Sequence, residues 1–91
     1  MPIDIIMPDL GLGSEPVAVS LWLVDVGAVV SRGDRLLEVT ADGVTVDIPS
    51  PAGGTLRAVF VYEDDRVTPG MRLGTIETVT PEGERGTSVP R

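Results

Sequence analysis

A ten-residue pattern occurs twice in this chain. "VSRGDRLLEV" (Val30–Val39) returns as "VTPGMRLGTI" (Val67–Ile76), a constant 37 positions later. Val30 aligns with Val67, Gly33 with Gly70, Arg35 with Arg72 and Leu36 with Leu73, while Ser31/Thr68 and Val39/Ile76 are close substitutions. The frame extends upstream, laying "LWLV" (Leu21–Val24) over "AVFV" (Ala58–Val61). Each half reads strand, turn, V-[ST]-x-G-x-R-L, strand. A solenoid needs about three or more units. Two copies instead predict a closed body with approximate two-fold symmetry, its two small antiparallel sheets covering each other's apolar faces. Val30/Val67 and Leu36/Leu73 are expected to point inward. Gly33 and Gly70 fall where a turn wants positive φ. Ser31 and Thr68 are expected to hold that turn through backbone hydrogen bonds. Arg35 and Arg72 are expected to lie along the sheet with their heads in water.

The chain has 91 residues, enough for one domain. Its aromatics are only Trp22, Phe60 and Tyr62, so the core must be built from Val, Leu and Ile, which favour strands. Strands are predicted over Ile3–Ile6, Val17–Val24, Leu36–Thr40, Val44–Ile48, Gly54–Val61 and Arg72–Thr78. Met7–Pro16 and the stretch from Gly27 read as loops. No segment keeps a 3.6-residue apolar period, so no long helix is expected. The fold class expected is all-β: a flattened barrel or sandwich of two small antiparallel sheets with quasi-two-fold symmetry over residues 1–78. Residues 79–91, "VTPEGERGTSVPR", are polar and broken by Pro and Gly, and are expected to form a flexible tail or linker.

Three residue types that usually carry side-chain catalysis are missing. Histidine and cysteine are absent, and all seven basic residues are arginine, so there is no lysine. The usual general base and the usual amine and thiol nucleophiles are therefore lacking. No catalytic residue, metal site or bound cofactor is expected. The formal charge of −7 argues against nucleic acid, whose phosphates require clustered cations. No run approaches the roughly 20 apolar residues that span a bilayer, and the N-terminus lacks the pattern of a secretory signal. The expectation is a cytoplasmic monomer that touches neither membrane nor nucleic acid.

The sharpest local feature is "EVTADGVTVDIPSP" (Glu38–Pro51). Asp-Gly between two β-rich runs is a strong hairpin signal, because both central residues of a type I′ turn need positive φ. The predicted tip is Ala41-Asp42-Gly43-Val44.

With that hairpin in place, the chain resembles the lipoyl domains of 2-oxo acid dehydrogenase acyltransferases, with biotinyl carrier domains as more distant kin. The resemblance runs from about Ile3 to Glu77. It rests on "MPDLG" (Met7–Gly11), "VSLWLVDVGAVVSRGDRLLEV" (Val19–Val39), "VTVDIPSPAGGTL" (Val44–Leu56) and "DDRVTPGMRLGTI" (Asp64–Ile76), in that order. It implies a single hybrid motif with the carrier hairpin at one end. In the family the tip reads roughly E-T-D-K-A, and the lysine holds lipoate in amide linkage. Here Thr40, Ala41, Asp42, Gly43 and Val44 fill those places, so Gly43 stands where the lysine would be. A guanidinium stays protonated and cannot replace an amine in amide formation. The resemblance further implies that the loop before Trp22 helps partner enzymes recognise the domain. That loop also departs, with Leu12 in place of a glutamate and Glu15-Pro16-Val17 in place of a T-E-G segment.

The expectation is a non-lipoylated, non-enzymatic, lipoyl-domain-like protein. It would bind a protein partner of dehydrogenase or acyltransferase type as scaffold, regulator or pseudo-carrier. The alternative is the N-terminal lipoyl-type domain of a dihydrolipoamide acyltransferase whose lysine is gone. Candidate contact residues are Ala41, Asp42 and Gly43 at the tip, with Leu12, Gly13, Ser14 and Glu15 in the loop Leu10–Pro16. The acidic run Glu63-Asp64-Asp65 is a further surface to watch, though short charge runs of this kind are more often ordinary solvated turns.

Overall fold

A computed structural model of the chain describes residues 1–11, 13 and 15–78. The expected tail, 79–91, lies outside them, as do Leu12 and Ser14. Eight strands form: β1 (Pro2–Ile6), β2 (Val17–Trp22), β3 (Val29–Val30), β4 (Arg35–Ala41), β5 (Val44–Pro49), β6 (Gly54–Val59), β7 (Arg66–Val67) and β8 (Arg72–Glu77). They build two four-stranded antiparallel sheets, ordered β1-β8-β6-β3 and β5-β4-β2-β7. The fold is the expected all-β body of two antiparallel sheets, with no helix among the described residues.

The repeat is visible in three dimensions. Adding 37 to the bounds of β2 (17 and 22) gives those of β6 (54 and 59), and the same step carries β3 (29 and 30) onto β7 (66 and 67). It carries the irregularity of β2 at Val19/Leu21 onto that of β6 at Leu56/Ala58. Hydrogen bonds follow suit. Leu23 N–H donates to Leu36 O at 2.8 Å, and Phe60 N–H donates to Leu73 O at 2.9 Å. Arg35 pairs with Asp47 at 3.2 Å and Arg72 with Asp4 at 3.5 Å.

β3 and β7, two residues each, escape the sequence reading because two residues carry no detectable alternation. They are the strands each half contributes to the other: β3 pairs with β6, and β7 with β2. Val17–Val24 and Gly54–Val61 were each expected as one run, and each strand stops two residues short, at Trp22 and Val59. The Gly33 and Gly70 turns have the expected positive φ of 90° and 89°. The side chain that holds the first turn is Asp34, not Ser31: its Oδ2 accepts from Ser31 N–H at 2.8 Å.

Leu36, Leu37, Leu56, Leu73 and Ile76 have no accessible surface and form the centre of the core, with Ile5, Met7, Val19 and Val39 beside them. The expected inward pairs Val30/Val67 and Leu36/Leu73 are all buried. Trp22 closes the core from one side, its indole N–H donating to Val61 O at 2.8 Å. The Arg35 and Arg72 side chains are largely exposed, as expected, and the Arg72 guanidinium lies 5.2 Å from the Phe60 ring centroid.

Candidate functional site

β4 and β5 pair down to Ala41↔Val44, leaving two residues to turn the chain. Asp42 and Gly43 have φ of 49° and 77°. Positive φ at both positions is the signature of a type I′ turn, whose twist matches that of the strands. Ala41 is 4 % exposed and anchors the hairpin in the core, so its side chain offers no surface to a partner. Asp42, Gly43 and Val44 are exposed. A Cβ placed on Gly43 would meet nothing within 4 Å. The tip therefore presents one carboxylate and a bare patch of backbone.

The register places the first loop beside this tip. Ala18 pairs with Thr40 on one side and with Arg66 on the other. Val17, Ala41 and Val67 therefore sit at the same end of the second sheet. The link from β1 to β2 arrives there, and it is long: residues 7–16, against residues 50–53 for the matching link from β5 to β6. The excess breaks the two-fold symmetry at the tip end. It encloses a groove of about 260 Å³ lined by Met7, Leu10, Pro16, Val17, Arg66 and Pro69, among others. Gly13 and Glu15 also line it, whereas Leu12 and Ser14 lie outside the described residues. Asp9 holds the start of the loop by accepting from Gly11 N–H at 2.8 Å. Arg66, Met7 and Pro69 were not singled out from sequence. The unequal length of the two links was the signal that could have found this groove.

The run Glu63-Asp64-Asp65 has a structural job. Asp65 Oδ2 accepts from Tyr62 N–H at 2.8 Å, and Asp65 N–H donates back to Tyr62 O at 3.0 Å. Asp64 N–H donates to Val19 O at 2.9 Å, which ties the turn to β2. These bonds favour the solvated-turn reading.

The chemistry open to this end of the molecule is limited. A prosthetic group held by an amide needs an amine. The tip offers a carboxylate and a glycine, and no lysine exists in the chain. The residues present do not fit lipoyl or biotinyl attachment. Among the described residues, no three His, Cys, Asp or Glu side chains converge as metal ligands, and no helix is long and apolar enough to cross a membrane.

Comparison with known proteins gives a consistent picture. The family model for biotin-requiring enzymes, covering biotin and lipoyl attachment domains, matches residues 3–76. The chain is 38 % identical over 73 residues to the dihydrolipoyllysine-residue acetyltransferase component of the pyruvate dehydrogenase complex of Corynebacterium glutamicum, covering 80 % of this chain and 11 % of that protein. It is 31 % identical over 73 residues to the acetyltransferase component of the acetoin cleaving system of Bacillus subtilis, covering 80 % of this chain and 18 % of that protein. Against the succinyltransferase component of the 2-oxoglutarate dehydrogenase complex of Bartonella vinsonii subsp. berkhoffii, identity is 34 % over 77 residues, covering 85 % of this chain and 19 % of that protein. The chain thus spans less than a fifth of the length of these curated relatives.

Proposed function

Since this chain belongs to the biotin/lipoyl family, we propose that it is a carrier-shaped domain that binds without carrying. Gly43 takes the attachment position, and the domain stays unmodified. It docks through the tip, Asp42 to Val44, and the adjoining loop onto a dehydrogenase- or acyltransferase-type enzyme that receives carrier domains. Binding there would let it scaffold, compete or regulate. The observation that carries this reading is an intact, exposed type I′ hairpin in a chain with no lysine. Docking surfaces can persist on a fold after its chemistry is gone. No catalytic residue is assigned.

The test has two parts. The full chain, co-expressed with a lipoate ligase and supplied with lipoate, is expected to keep its unmodified intact mass. Immobilised protein is expected to retain an enzyme encoded near its own gene, and free lipoyl domain should displace that enzyme. A lipoyl adduct would overturn the first part, and failure to retain any such enzyme at micromolar concentration would overturn the second.

A second reading has an observation of its own in its favour. The matched relatives are long acyltransferase components of which this chain spans only a small part. On that reading the domain is the N-terminal lipoyl-type module of such a component. An open reading frame continuing past Arg91 into a catalytic domain would decide for it.

A further inference from the structure

The chain has eight aspartates. Seven precede a residue with a side chain (Ile5, Leu10, Val26, Arg35, Ile48, Asp65 and Arg66), and only Asp42 precedes a glycine. That glycine is at the hairpin tip. Both tip residues are exposed and lie outside the strand ladder, which closes at Ala41↔Val44. Among the described residues the Asp42 carboxylate has no hydrogen-bond or ion-pair partner. The carboxylates of Asp34 and Asp65, by contrast, are each committed to a backbone N–H, and that of Asp47 to Arg35. At Gly43 no Cβ crowds the amide nitrogen, and the space where one would sit is open.

We infer that the Asp42–Gly43 linkage is a site of spontaneous rearrangement to isoaspartate in the folded protein. The Gly43 amide nitrogen attacks Cγ of the protonated Asp42 carboxyl. An N–Cγ bond forms and the Cγ–OH bond breaks, and the hydroxyl leaves as water with the amide proton. The product is a five-membered cyclic imide. Water then opens it. Attack at Cγ restores aspartate. Attack at the main-chain carbonyl breaks the original peptide C–N bond, and the chain now runs through Cβ and Cγ of residue 42. Nothing is oxidised or reduced, and the final mass equals the starting mass.

The other seven aspartates are disfavoured by the side chain that follows each of them. At the tip the reaction inserts one extra main-chain atom between strands that a two-residue type I′ turn had joined, so the turn geometry is lost. It also moves the free carboxylate from a side chain to the main-chain branch. The tip would therefore change shape with age at constant mass. This inference does not rest on the binding role, because it concerns the chemistry of the tip itself.

The test ages the full chain at physiological temperature in mildly acidic buffer, once folded and once in concentrated urea. Methyl acceptance from protein-isoaspartate methyltransferase measures the product, and backbone fragmentation in the mass spectrometer locates it. Acceptance is expected to grow with time in the folded sample and to map to residue 42. It is expected to be lost in Asp42→Glu, whose imide would be a slower-closing six-membered ring. Circular dichroism checks that the variant is folded. Two results would overturn the inference: folded protein that accepts no methyl groups while the urea sample does, or a signal that survives Asp42→Glu.

Discussion

Placing a lysine at position 43 tests the reading of the tip in a single substitution. In Gly43→Lys the new side chain meets no clash, since nothing lies within 4 Å of its Cβ. What it meets is the backbone: φ is 77°. An L-residue in that left-handed region costs roughly 1–2 kcal/mol. Part of this is offset, because losing glycine restricts the unfolded chain and returns about 0.4–1 kcal/mol. The net expectation is a loss of about 1 kcal/mol, which in a domain of this size lowers Tm by about 4–8 °C. Thermal melts followed by circular dichroism measure it. Intact mass after co-expression with lipoate ligase then asks whether the tip has become a substrate, and a single lipoyl adduct is expected. A loss above about 3 kcal/mol would show that the side chain meets packed atoms, contrary to the open tip. A well-folded variant that stays unmodified would show that Gly43 is not the attachment position.

Three further outcomes follow from the same geometry. Leu36→Ala and Leu73→Ala remove equivalent, fully buried side chains, so each should cost about 2–5 kcal/mol and the two costs should match closely in urea titrations. Gly54→Ala would drive a Cβ into the Glu77 carbonyl oxygen; a loss of about 3 kcal/mol or more is expected in the same titrations, well beyond that of Gly43→Lys. The Glu77 carboxyl titrates below its ordinary value, chiefly because the Met1 amino group donates to it and secondarily through the charges of that group and Arg57. A carboxylate with a lowered folded-state pKa adds stability above its unfolded pKa and loses it as pH falls through the folded one. Glu77→Gln should therefore show a slightly smaller drop in stability than the parent between the ordinary glutamate range and stronger acid, a difference that salt reduces.

Much of the architecture was legible because the repeat constrains it twice. Each reading made at Val30–Val39 had a second, independent instance at Val67–Ile76, and the burial of Leu36 and Leu73 agrees with both. The Asp42-Gly43 turn was legible because the dipeptide has few other uses between strands. β3 and β7 were not, because pairing partners from the opposite half decide them and two residues carry no period. Holding the first turn fell to Asp34 because its carboxylate reaches the Ser31 amide, a contact that depends on loop shape rather than residue type. Ala41 was grouped with the exposed tip, yet strand alternation turns it inward. The groove under the first loop needed the loop to be folded, since its lining draws on residues as far apart as Met7 and Pro69.

The exchanged strands have a thermodynamic corollary. Each sheet takes its outermost short strand from the opposite half, so neither half can detach without unzipping a ladder in the other. Partial opening gains little chain entropy and breaks pairing in both sheets at once. The amides at the centre of both sheets should therefore exchange with solvent through one shared, global event, with a common free energy, rather than as two units that come apart in turn.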